Sequence, residues 1–300
     1  MISSTSEPGD LELVEVDLIS KNARPTEHCE RTSMLSADHV SSSVPAQANR
    51  VDGAPPTADR VKWQLYFYTI AASFSELANG YDIGAFSFAL LYFKEDPHLS
   101  LSSLQVALLA GQFNLVAGLG CMLAGPVSDA YGRKASLMGG NLVNVVGTLM
   151  LAFSSGFGSM FVGRLVMGLG AGVAFTAPEM YACEMSPPSV RGLTSSFGEL
   201  FINLGILVGY LCGWVFQPYW RVMVGVGAAI PALAILMQAV IPETPRWLLT
   251  KGRDAKAVSS LHASAHFTEE RVAEQVAEIK AAIREEEATS AGAVGEMLRP

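Results

Sequence analysis

The stretch GPVSDAYGRKAS, residues 125–136, sets one acid, Asp129, between Gly125 and Gly132 and two bases, Arg133 and Lys134, directly after them, with a long apolar run on either side. Read on charge alone it is a tight turn, held on the cytoplasmic side of a bilayer by its basic pair. Working outward, the runs on either side are two of six: roughly 64–93, 104–127, 135–154, 158–183, 192–216 and 222–241. Each reaches the length of about 20 residues that a bilayer-spanning helix needs. Half of the 300 residues are hydrophobic, only 16% are charged, and the mean hydropathy is +0.32, which is more apolar than a soluble domain requires. Gly80, Gly84, Gly168, Gly172, Pro178 and Pro231 interrupt the runs. Membrane helices tolerate such residues because neighbouring helices re-satisfy the freed backbone groups. The fold class read from this pattern is all-α, a six-helix membrane bundle.

Three segments follow from composition: a Ser-, Pro- and acid-rich tail over 1–60 expected to be disordered, a six-span bundle over 61–242, and a polar segment over 243–300. Arg133 and Lys134, then Arg191, then Arg246, Lys251, Arg253 and Lys256 all fall in loops on one side, against Lys94 and Arg221 on the other. Both termini are therefore expected to be cytoplasmic. In the last segment Val272, Val276, Ile279 and Ile283 recur at helical spacing behind Thr268, an N-cap residue followed by Glu269 and Glu270. That predicts an amphipathic helix against the cytoplasmic face, with a shorter one over DAKAVSSLHAS, residues 254–264. Cys29, Cys121, Cys183 and Cys212 have no metal-ligand or disulfide spacing. There is no nucleophile and base constellation and no phosphate loop, so neither an enzyme nor a cofactor is expected. No basic patch carries interleaved aromatics, which sets nucleic-acid binding aside.

The string from Gly125 to Lys134, read as G-x-x-x-D-x-x-G-R-K after a second span, resembles the signature loop of the major facilitator superfamily. Further motifs agree in order: GYDIG at 80–84, VGRLVMGLGAG at 162–172, EMSPPSVRG at 184–192 and PETPRWL at 242–248 are similar to those of the sugar porter family. The resemblance covers roughly residues 60–260. The run SSFGELFINLGILVGYL, 195–211, looks more like plant-type polyol and monosaccharide transporters than like mammalian glucose carriers. The glycines of 163–172 follow no strand, so close helix packing accounts for them better than nucleotide binding does.

Five charges fall inside the runs: Glu76, Asp82, Arg164, Glu179 and Glu199. Facing lipid at the bilayer centre, each would cost roughly 2.5–3.5 kcal/mol or more, so each is expected to face the interior or a wet cavity. The resemblance implies that Asp82 faces Arg164 and works as a proton switch: ionised while Arg164 is close, protonated once Arg164 withdraws. A permanent ion pair that only fixes helix packing is the alternative. Glu199 stands where the family usually has a glutamine that binds sugar hydroxyls, and Asn203, one turn on, has both a donor and an acceptor for the same task. Phe74, Tyr81 and Phe113 are read mainly as packing, or else as an apolar wall. Asp129 with Arg133, Glu184 with Arg191, and Glu243 with Arg246 look like the family's inner-gate network. Gly80 and Gly84 are expected to clear space around Asp82 for helix and water.

Two departures stand out. Glu179 occupies the place of a proline in the family, with Pro178 one residue earlier, so the end of the fourth span is expected to bend differently. The resemblance also covers only the first of the two six-span repeats of a major facilitator. A second six-span half is therefore an expected partner, beside a small sugar or polyol, protons and the lipid bilayer. The function implied is alternating-access transport of a monosaccharide or polyol, proton-coupled through Asp82. Two alternatives remain: a carrier without proton coupling, and a non-transporting membrane sugar receptor or regulatory truncated form.

Overall fold

The structure, a computed structural model, describes residues 62–93, 99, 101–264 and 268–297. The expected N-terminal tail and Lys94 lie outside them. Among the described residues the chain is helical, with no strand. Five long helices come first: α1 (Trp63–Tyr92), α2 (Ser103–Tyr131), α3 (Arg133–Ala152), α4 (Phe157–Met185) and α5 (Arg191–Val215). Two short collinear ones, α6 (Trp220–Gly227) and α7 (Ala229–Val240), make up the sixth run. Beyond them come α8 (Pro245–Thr250), α9 (Asp254–Ser264) and α10 (Glu269–Met297).

Local chemistry sets several of these boundaries. At the start of α2, the Ser102 hydroxyl accepts from the Gln105 amide while the Gln105 side chain accepts from the Ser102 amide, a reciprocal cap. The turn between α2 and α3 passes through Gly132 at φ +106°, a conformation that L side chains rarely adopt. The sixth run breaks at Ala228 because Pro231, two residues into α7, has no N–H and crowds the carbonyl four residues back. Pro178 lies inside α4 without ending it, and the helix continues to Met185.

Helix α1 lies mainly against α5, and α4 packs on both α2 and α3. Glycine makes the first contact possible. A Cβ on Gly80 would stand 2.0 Å from the Ile202 carbonyl oxygen, and one on Gly205 would stand 2.3 Å from that of Leu77. Gly84 and Gly209 repeat the arrangement one turn further on. The expectation for Gly80 and Gly84 is thus met for a helix, which is α5. Gly172 does the same for α4 against α2, where a Cβ would meet the Ala117 carbonyl oxygen at 2.1 Å. Between helices in lipid, such backbone approach replaces the hydrophobic drive that is missing there.

Five of the runs, α2, α3, α4, α5 and α6–α7 together, are long and apolar enough to cross a membrane. Helix α1 is as long as any of them but carries Ser73, Ser75, Glu76, Asn79 and Asp82, all of them buried inside the bundle. The polarity that lowers its hydropathy faces inward, so α1 completes the six-helix bundle. Many outward-facing side chains are large and apolar: Leu115 is 77% exposed and Met122 76%. A surface of that kind is what a lipid solvent requires.

At the end of the bundle where α2 meets α3, α8 and α9 form a small core of Trp247, Leu248, Leu249 and Ala257. Val276, Ile279 and Ile283 of α10 pack against it, and Thr268 caps α10 by accepting from the Arg271 amide. The amphipathic helix is as expected, though it runs on to Met297.

Candidate functional site

Asp82 sits two-thirds of the way along α1, and Arg164 two turns into α4. The structure brings them together. Arg164 Nη1 donates to Asp82 Oδ1 at 2.8 Å and to Oδ2 at 2.7 Å, with 3% and 7% of the two side chains exposed. The guanidinium lies between two rings, 3.6 Å from the centroid of Phe86 and 4.3 Å from that of Phe113. A cation over an aromatic face is held by the ring quadrupole. The sequence reading missed Phe86, although its place four residues after Asp82 puts it on the same helix face. Arg164 Nε is buried without a hydrogen-bond partner among the described residues, so the pair is not saturated. Beside Asp82 a narrow cavity, bounded by Tyr81, Asn144, Thr148, Met167 and Gly227, is barely large enough for one water. Tyr81 donates from its hydroxyl to the Met223 carbonyl at 2.6 Å and so is committed to packing.

Glu199 and Asn203 also come together, as their spacing on α5 requires. Asn203 Nδ2 donates to Glu199 Oε1 at 3.1 Å and to the Glu199 carbonyl at 2.8 Å. Both are exposed, and they form a polar step on the α5 face turned away from the bundle. Phe74 meets Phe201 edge-on, with ring centroids 5.7 Å apart, and belongs to the packing between α1 and α5.

Of the three charge pairs expected at the α2–α3 turn, Asp129 with Arg133 forms and the other two do not. Arg133 is the hub: it pairs with Asp129 at 2.9 Å and with Glu184 at 2.8 Å, and donates to the Ser128 carbonyl at 3.1 Å. Glu184 therefore does not pair with Arg191, which is exposed and reaches the Ser186 carbonyl at 3.4 Å. Nor does Glu243 pair with Arg246. Its Oε1 accepts the backbone N–H groups of Arg133 (3.0 Å), Lys134 (3.2 Å) and Thr244 (3.0 Å), sitting at the N-terminus of α3 where a helix favours negative charge. Arg246 instead binds Glu286 of α10. Motif spacing gives each acid a base in its own segment, whereas the fold places Glu243 against the α3 terminus. Burial pushes the Glu243 carboxyl up, an effect opposed by those N–H donors and by the Arg133 charge. Trp247 Nε1 donates to the Asp129 carbonyl at 3.0 Å and ties α8 to the same turn.

Among the described residues no group of acids, histidines and cysteines could hold a metal ion. A family model described as sugar (and other) transporter matches residues 68–299. Putative polyol transporter 2 of Arabidopsis thaliana is 34% identical over 237 residues, covering 77% of this chain and 46% of that protein. Polyol transporter 5 of the same plant is 36% identical over 196 residues, covering 63% of this chain and 36% of that protein. Two solved structures share the fold at a TM-score of 0.65. One is the partially occluded inward open conformation of the xylose transporter XylE from E. coli, 20% identical, covering 74% of this chain and 59% of that one. The other is the proton:xylose symporter XylE bound to 6-bromo-6-deoxy-D-glucose, 23% identical, covering 75% of this chain and 54% of that one. The chain spans about half the length of the curated relatives it matches.

Proposed function

The chain belongs to the sugar transporter family of the major facilitator superfamily, an integral multi-pass membrane protein, and on that premise we propose that it forms one half of a proton-coupled carrier for a polyol or monosaccharide. The observation that carries the coupling is the buried Asp82–Arg164 pair. A bare carboxylate could not persist there without its partner, so a shift that withdraws Arg164 has to be matched by a proton on Asp82. In this reading Asp82 takes a proton when the bundle shifts and Arg164 moves off it. Moving the solute then needs no covalent chemistry, which separates the protein from an enzyme. The polyol transporters among the relatives and the proton symporter among the structural neighbours support this choice.

Glu199 and Asn203 bind solute hydroxyls: the carboxylate accepts from two adjacent hydroxyls, and the amide both donates and accepts. Their exposure on α5 is what a site between two halves would show, since a polar step of that kind is costly against lipid. The second six-helix half would cover it. Residues 1–60 form a cytoplasmic tail, 61–242 the bundle, and 243–300 the cytoplasmic linker. Both termini are cytoplasmic, in keeping with the gathering of Arg133, Lys134, Arg246 and Lys251 at one end. There Asp129, Arg133, Glu184, Arg191, Glu243 and Arg246 form the inner gate. The bonds of Arg133 join parts of this half, while Asp129, with 69% of its side chain exposed, and Arg191 remain available to the opposite half.

Uptake of labelled polyols and monosaccharides into proteoliposomes holding the full-length carrier tests this. Uptake should follow an imposed pH gradient and lose that dependence in Asp82→Asn. Uptake indifferent to the gradient and unaltered in Asp82→Asn would mean a carrier with a purely structural ion pair, and no uptake at all would favour a receptor.

A further inference from the structure

Glu76 of α1 is 2% exposed, and its Oε1 has no hydrogen-bond partner among the described residues. It faces Gly198 of α5 together with Glu179 of α4: a Cβ on Gly198 would lie 2.8 Å from Glu76 Oε1 and 2.5 Å from Glu179 Oε1. Two carboxyl groups from separate helices thus converge on one glycine, whose missing side chain leaves room for both. The charged groups that act on Glu76 are Glu179 and, from α5, Glu199, all of one sign. The side chains that α3 and α7 bring to this part of α1, Asn141 and Gln238, are neutral and are engaged with Ser75 and each other. No ion pair among the described residues includes Glu76 or Glu179; Arg164 is taken up by Asp82. Two facing carboxylates without a cation, Glu76 buried and Glu179 half-buried, do not both stay ionised.

We propose that Glu76 and Glu179 form a second proton site, holding one proton between their carboxyl groups behind Gly198, separate from the Asp82–Arg164 pair. Asp82 follows Glu76 by six positions, about 9 Å along α1. Between them Asn79, whose Oδ1 is buried without a partner, offers a polar step. Because Glu199 follows Gly198 directly, the proton on this pair sets the charge next to the proposed hydroxyl-binding carboxylate. The site stands on the carboxyl geometry and does not depend on Asp82 being a coupling residue.

Infrared spectroscopy of the full chain in lipid nanodiscs tests it, reading the carbonyl stretch of protonated carboxyl groups and its shift on transfer to D2O. The wild type should show such a band near neutral pH. Glu76→Gln, which has the shape of the protonated acid, should lose it. Glu179→Gln should keep it but move it to higher frequency, because the hydrogen bond to the second carboxylate is gone. Asp82→Asn should leave it unchanged, so that failure of the symport reading and failure of this one are told apart. A wild type without a protonated carboxyl overturns the proposal, whatever the variants do. So does a band insensitive to either glutamine substitution, or one abolished by sodium chloride at constant pH, which would mean a metal cation in place of the proton.

Discussion

Replacing Arg164 with leucine removes the cation from a carboxylate that keeps only 7% of its side chain in contact with solvent. Two unit charges with centres about 4 Å apart attract by about 4 kcal/mol at the effective dielectric of 20 that suits such sites. Breaking a buried pair from one side costs roughly 3–5 kcal/mol, because the remaining charge is left without compensation. Arg164→Leu should therefore be strongly destabilised. Asp82→Asn should be milder, since Arg164 keeps Phe86 and Phe113, each contact contributing about 0.5–2 kcal/mol, and can still donate to the amide oxygen. The double variant Asp82→Asn, Arg164→Leu should recover most of the loss, as apolar replacement of a buried pair is often neutral. Thermal unfolding of the purified chain in detergent, followed by loss of the monodisperse peak, gives the four Tm values of the cycle. A recovery worth several kcal/mol is expected. If the two single effects simply add, the residues are not coupled, and the argument that Arg164 makes the position of Asp82 tolerable fails.

The remaining predictions use the same thermal assay. Gly80→Ala should be destabilised by several degrees because its Cβ would overlap the Ile202 carbonyl, whereas Gly111→Ala, with nothing within 4 Å, should be neutral or slightly stabilising. Gly132→Ala combines a φ of +106° with a Cβ 2.3 Å from Glu243 Oε2 and should cost at least about 1–3 kcal/mol; Gly139→Ala, in open space, is its control. Glu243 has a folded value raised above the ordinary 4.5, so its contribution is fully present below that value and is lost as pH rises through the raised one. Tm should accordingly decline as pH rises above 4.5, and Glu243→Gln, still able to accept the N–H groups at the α3 terminus, should flatten that decline.

The helix boundaries were legible because membrane spans are written in long apolar runs, and the turn at Gly132 because only glycine suits its backbone. The sixth run was read as one span, but Pro231 divides it, a local effect that run length hides. Asp82 with Arg164 and Glu199 with Asn203 came through the motifs. Asp129 with Arg133 came through as well, but the link from Arg133 to Glu184 and the partners of Glu243 and Arg246 did not, because they depend on which helix terminus and which face of α10 the fold brings close. Glu286 lies 40 residues from Arg246, and no periodicity connects them. Nor could spacing show that Glu76 and Glu179 converge on Gly198, since three helices have to be packed before the glycine's missing side chain becomes a site.

Helix α1 unites these observations. Its buried polar residues make it less apolar than the other members of the bundle, and it is also the one that packs on α4, α5, α6 and α7. A helix surrounded by protein need not be apolar, so α1 can carry Glu76, Asn79 and Asp82 at three-residue intervals where α2, facing lipid, could not. The glycines at 80 and 84 are the counterpart of that polarity. With side chains committed to polar roles on one flank, the other flank holds α1 in place by backbone contact with Gly205 and Gly209. Loosening that seam should therefore disturb the Asp82–Arg164 geometry as well as stability. Gly205→Ala, which touches neither charged residue, should weaken the thermodynamic coupling between them measured in the double-mutant cycle; a coupling left intact in that background would show that the seam and the ion pair are independent.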